Sequence, residues 1–193
     1  GTYEVKVLRD EVSIKADNLY GKSYAVFKDS KLDKAKFPTP EVLNNNFKDP
    51  KWYKDTETTA TEQPWTVTIT ANTSFKASAI SANFDKENIT GIEITKDPDT
   101  MTYTEGDKPK HDGIKVKLTD KNGNSVEIDK DKLKEYGVTV TPAETTDLTI
   151  ANHNNHPFTA KVNGKDNNGK PKELTADTKG KITVNPKKSD KDV

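Results

Sequence analysis

A mainly β protein built of two small modules is what the sequence predicts, on three observations. Apolar residues alternate with polar ones almost everywhere along the chain, and helical spacing is almost nowhere to be found. Gly, Pro, Asn and Asp clusters interrupt these runs at short intervals. The length, 193 residues, exceeds the usual size of one domain and divides naturally into two of about 80 to 100 residues.

The first set of strands begins with Tyr3, Val5 and Val7, continues with Val12, Ile14 and Ala16, and then with Tyr24 and Val26. The stretch "FPTPEVLNNNFKDPKWYKD" that follows has three prolines and an Asn run, which break regular structure. It predicts a long, ordered connection carrying Trp52. Trp65, Val67 and Ile69 then alternate with Thr66, Thr68 and Thr70 as a strand, and Phe75, Ala77 and Ala79 close the set.

Hydrophobicity falls over "SANFDKEN", residues 81 to 88, which is the expected boundary: one module over 1–81 and a second over 88–186. In the second, strands are expected at Ile92 and Ile94, at Ile114, Val116 and Leu118, and at Val126 and Ile128. Further strands follow at Val138 and Val140, Leu148 and Ile150, Phe158, Ala160 and Val162, and Ile182 and Val184. Seven or so short strands divided by turns describe a sandwich. "TDKNGNS" predicts a hairpin turn, and "DKDKLKEYG" a helical turn with Asp129 or Asp131 as N-cap and Gly137 as its left-handed stop. Residues 187–193 read as a polar tail or linker.

Composition bounds the function. Apolar residues are 30% and charged ones 32%, yet 31 basic and 31 acidic residues cancel, so the surface is strongly hydrophilic without a net field. Basic charge is nearly all lysine, Arg9 being the sole arginine, and the lysines interleave with Asp and Glu. Nucleic acid is a poor partner for that pattern. There is no cysteine, hence no disulfide frame, thiol nucleophile or thiolate metal site. No apolar run approaches the roughly 20 residues of a membrane span, so no membrane insertion is expected of this segment. Gly1-Thr2-Tyr3 has neither a basic n-region nor an h-region, which reads as a piece of something longer whose signal and wall anchor lie elsewhere.

Candidate sites are few. Two tryptophans flank a threonine-rich stretch; Trp52 reads as a core anchor, since a module of about 80 residues needs bulky side chains to build a core. Trp65, after Pro64, also shares a face with apolar neighbours but leaves one ring face open. Tyr53 points opposite to Trp52 in an extended chain. Tyr53 and Trp65 are therefore the candidate ligand-contacting aromatics, of the kind that stack on a sugar ring. Asp120, Asn122, Asn124 and Asp131 have the spacing of calcium-loop ligands. Gly123 falls at the fourth position instead of the sixth and no helices flank the loop, so a hairpin is expected there. His153 and His156 lack a third ligand and read as a solvated loop. No catalytic residue, metal or cofactor is expected, because no nucleophile, base and orienting group share a spacing that would bring them together.

Two resemblances to modules of Gram-positive cell-surface proteins are carried by these residues. "ITGIEITKDPDTMTYTEGDKPKHDGIKVKLTDKNGNSVEI", followed by "YGVTVTPA", "FTAKVNG" and "KITVNP", resembles a bacterial Ig-like repeat domain. "FPTPEVLNNNFKDPKWYKD" and "TITANTSFKASA" are similar to an internalin B-repeat module of the β-grasp type, although Asn45-Asn46 stand where that pattern has Gly-Tyr and "TETTATEQPW" is a longer insertion. The implied architecture is a small β-grasp-like module followed by an Ig-like β-sandwich. The implied role is that of a non-catalytic, extracellular segment of a Gram-positive, cell-wall-anchored protein. It would serve as stalk, spacer or adhesin region, with a host protein or glycan and the neighbouring modules as partners. The alternative is a carbohydrate-binding or ancillary module of a secreted glycosidase or protease. Surface sandwiches of this sort sometimes join a lysine on the first strand to an asparagine on the last, and Lys96 and Asn185 are the candidate isopeptide pair. No acidic residue is visibly placed to be buried beside them, so the uncrosslinked mass is expected.

Overall fold

The structure, a computed structural model, describes residues 1–189. Residues 190–193, the greater part of the expected tail, lie outside the described residues. The chain divides between Asn83 and Phe84 into two units, both mainly β.

The first unit is a four-stranded sheet of β1 (Thr2–Arg9), β2 (Lys22–Phe27), β3 (Phe47–Lys54) and β4 (Thr73–Ser81), in the order β2-β1-β4-β3. The central pair β1 and β4 is parallel, and each outer strand is antiparallel to its neighbour. Two antiparallel pairs about a parallel centre make a β-grasp-like sheet. Residues 28–46 stand where such a sheet places its helix, irregular except for one 3-10 turn at Lys34–Lys36 and a lone bridge at Val42. Period-two alternation turns Val5 and Val7 of β1, and Phe75 and Ala77 of β4, wholly inward. Phe37 stands edge-on to both Trp52 and Phe75, at centroid distances of 5.3 and 5.6 Å, and with Ile14 and Ile69 these side chains make the core.

Three expectations are corrected here. The proline-rich stretch expected to be a connection throughout forms strand β3 in its second half. Pro50 is tolerated because β3 is an edge strand and because the register shifts between Lys48 and Lys51, beside Asp49 at φ 53°. Val12 to Ala16 is a turn and not a strand. The Asp10 carboxylate accepts from the Val12 N–H and the Ser13 hydroxyl, its carbonyl accepts from Ser13 and Ile14, and Ile14 keeps a single bridge to Val42. The strand expected over Trp65, Val67 and Ile69 is instead a 3-10 turn, Pro64–Thr66, followed by irregular chain up to β4, with the Thr66 hydroxyl and N–H both donating to the Gln63 carbonyl.

Among its described residues the second unit has eight strands: β5 (Ile89–Lys96), β6 (Thr102–Thr104), β7 (Lys115–Asp120), β8 (Ser125–Ile128), β9 (Thr139–Thr141), β10 (Thr159–Lys165), β11 (Pro171–Asp177) and β12 (Thr183–Asn185). They form sheets β5-β7-β8 and β11-β10-β9 and a parallel pair, β12 with β6. Strand β5 packs against β10 and β11, closing a sandwich core around Ile114, Val116, Leu118, Leu148, Phe158 and Ile182. Gly164 of β10 lies against β5 so closely that a Cβ there would stand 2.4 Å from the Ile89 carbonyl oxygen, which makes glycine necessary. The β7–β8 hairpin turns through "KNGN", and Asp129 caps the 3-10 turn Lys130–Lys132 by accepting from the Asp131 N–H. Further turns carry the chain from Leu133 to Gly137, which takes a left-handed φ of 71°. Phe84, within the stretch expected to be a polar linker, packs onto this second core beside Tyr136.

Here too one expected element differs. Ile150 begins the short helix α1 (Ile150–His153) rather than a strand, because Thr149 caps it by accepting from the Asn152 N–H. Among the described residues no helix is long and apolar enough to cross a membrane.

Candidate functional site

The aromatic residues of the first unit do not form one platform. Trp52 is buried in the core. Tyr53, the next residue along β3, is half-buried and by strand alternation faces the opposite side of the sheet. Trp65 is half-buried on the core side, 6.3 Å from the Phe37 ring, with the Lys34 ammonium 5.1 Å from its own centroid. The two candidate aromatics are thus placed on different faces.

Trp65 instead adjoins a hollow that no motif announces. The Leu32 N–H donates to the Trp65 carbonyl, and Leu32 lies with Val5, Tyr24, Val26 and Phe37 around a space of about 180 Å³. Lys31 and Lys36 stand at its rim, and the Lys36 ammonium lies 4.8 Å from the Tyr24 ring centroid, a cation–π contact. Asp33 caps the turn below by accepting from the Ala35 N–H. The sequence signal for this place is the basic run from Lys28 to Lys36 beside an alternating strand, which becomes a site only once the sheet order leaves β2 at an edge. Elsewhere in the unit the Tyr20 hydroxyl is buried without a hydrogen-bond partner among the described residues. Its burial, with Asp17 and Glu41 nearby, pushes its pKa up to about 12.

In the second unit the charged groups pair with one another. Asp120 is buried at the β7–β8 turn. Burial acts to raise its pKa, but the Asp85 N–H, the Asn124 side chain and the Asn124 and Asn122 N–H groups bond the carboxylate and together hold the pKa below its ordinary value. Asn122 and Asn124 therefore serve the hairpin turn through their N–H groups. Lys130 bridges Asp112 at 2.8 Å and Glu144 at 2.9 Å, and hydrogen bonding to both acids raises its pKa. Glu144 also accepts from the His111 N–H, the chief reason its own pKa is lowered, while the His111 ring stands edge-on to Phe158. His153 accepts the Thr149 N–H at Nδ1, 2.9 Å away, within the helix cap, and His156 is exposed. Among the described residues no group of three or more His, Asp or Glu is arranged to hold a metal ion.

Lys96 and Asn185 lie at the ends of β5 and β12. The Lys96 ammonium donates to Asp99 at 2.7 Å and to the Gly113 carbonyl at 2.9 Å, with more than half of its side chain exposed. Asn185 is exposed, and its carbonyl accepts from the Glu105 N–H.

A family model described as Bacterial Ig-like domain (group 3) matches residues 95–163, from the end of β5 into β10. That family is a non-catalytic Ig-like one whose members occur in extracellular surface proteins. No curated protein and no solved structure matches the chain.

Proposed function

We propose that the chain is a non-catalytic spacer segment of a Gram-positive surface protein, held to the cell wall through regions outside this sequence. In this reading an internalin B-repeat-like module over residues 1–81 precedes the Ig-like unit, and neighbouring modules of the same protein are the first partners. The observation that carries the reading is the parallel pairing of β12 with β6. The strand that follows β5 and the last strand of the unit lie side by side and run in the same direction. Beyond the paired residues, the Thr183 N–H donates to the Met101 carbonyl and the Glu105 N–H to the Asn185 carbonyl. A pull along β12 at its C-terminal end slides it lengthwise against the parallel β6, so the ladder bonds are loaded together and not one after another. That suits a module that holds others away from a wall.

An adhesive region and a carbohydrate-binding or ancillary module of a secreted glycosidase or protease are the rival readings. A glycan array probed with the whole chain separates the last of these from the first. No saturable glycan binding is expected. Binding that disappears in Tyr53→Ala or Trp65→Ala would replace the spacer reading with the carbohydrate-binding one.

A further inference from the structure

The open edge of the first sheet has the features of a peptide-binding strand. Strand β2 ends the sheet, with β1 on one side only. The bond from the Lys28 N–H to the Gly1 carbonyl fixes the phase of the β1–β2 ladder. Since antiparallel residues alternate between bonding inward and outward, Lys22, Tyr24 and Val26 bond to β1, and the N–H and carbonyl groups of Ser23 and Ala25 point away from it. Ser23 and Ala25 are exposed. An exposed edge of this kind is a template for one more strand.

The hollow lies on the same side of the sheet as Tyr24 and Val26. A residue of an added strand standing opposite Tyr24 or Val26 turns its side chain to that side, where Val5, Leu32 and Phe37 supply apolar wall. The charge around the edge selects the partner. Residues 22–36 contain five lysines against two aspartates, net +3, in a chain that is neutral as a whole. Among the described residues Lys22, Lys28, Lys31, Lys34 and Lys36 have no carboxylate partner. A second copy of this chain pairing β2 to β2 would bring +3 against +3, which argues against self-association through this edge.

From this geometry we infer that the β2 edge binds an extended acidic peptide, adding it as a fifth strand with an apolar side chain seated in the hollow and carboxylates against Lys31 and Lys36. Backbone bonds to Ser23 and Ala25 give affinity, and the hollow and its lysines give selectivity.

The test is NMR titration of the whole chain with acetyl-Glu-Thr-Val-Thr-Val-Thr-Glu-amide, which puts its valines and its two glutamates on one face. Saturable amide shifts at Ser23, Ala25 and Phe27 are expected. Ala25→Pro removes an outward N–H that β1 does not use, and should weaken binding about tenfold, as loss of a backbone hydrogen bond and obstruction of the edge require. If Ala25→Pro disturbs the fold, Lys31→Glu with Lys36→Glu serves instead. That pair should weaken the glutamate peptide by about threefold or more and favour its lysine-ended counterpart. Absence of saturable shifts at millimolar peptide overturns the inference, as does unchanged binding in a folded Ala25→Pro or in the double variant. Concentration-dependent shifts at β2 without peptide would assign the edge to a second copy and overturn it equally.

Discussion

Trp52→Ala lowers the stability of the first unit by about 3 to 5 kcal/mol, the range for truncating a large buried aromatic, and leaves the melting of the second unit unchanged. Trp52 is 3% exposed, contacts Phe37 edge-on at 5.3 Å and lies 5.8 Å from Tyr20. The core it serves has few large members, so little is available to collapse into the space it leaves. Thermal unfolding followed by fluorescence and amide spectra reports both units. A loss within about 0.5 kcal/mol would mean that the ring is not part of the core. A parallel fall in the second unit's melting would mean that the two cores, distinct in their side chains, unfold as one.

Asp120→Ala should cost the second unit about 3 kcal/mol. The carboxylate accepts from the Asp85, Asn122 and Asn124 N–H groups, and each donor deprived of a charged acceptor loses roughly 1 to 3 kcal/mol where water cannot replace it. The same group makes stability depend on pH. Its folded pKa lies below the unfolded value, so its contribution is full above the ordinary aspartate range, near pH 4, and is lost as pH falls through the folded pKa. Asp120→Asn should flatten this acid limb of the stability curve while sparing much of the packing. Glu144, also lowered, would keep part of the slope. An acid limb identical in Asp120→Asn and the parent chain would show that the buried carboxylate contributes nothing to it.

Much of the second unit was legible because its strands obey one rule at a time. Val116 and Leu118, Val138 and Val140, and Phe158, Ala160 and Val162 each alternate cleanly, and Asn122-Gly123 and Asp129 signal their turns by local chemistry. Two strands escaped notice for physical reasons. Strand β11, "PKELTAD", faces the core chiefly with Leu174 and otherwise carries the polar residues of an edge, and β6 spans three residues with Tyr103 as its single buried member. In the first unit, alternation misled where side chains compete for backbone groups. Asp10 bends the chain at Val12 to Ala16, and Pro64 opens a 3-10 turn where a strand was expected. Pro50 misled in the other direction, since its cost vanishes on an outer strand and the sequence does not say which strand is outermost. The hollow beside β2 was illegible for the same reason. Its walls come from residues 5, 24–26, 31–33, 36 and 37, and the alternation that identifies a strand carries no information about its place in the sheet.

Stretching the whole chain between its two ends in a single-molecule force experiment tests the spacer account most directly. Two unfolding events are expected, and Thr183→Pro, which removes the N–H donated to the Met101 carbonyl, should lower the force of the second unit's event and leave the first unit's unchanged. Unaltered force in Thr183→Pro, or gradual lengthening of the second unit at low force in the parent chain, would contradict a load borne along the β6–β12 ladder.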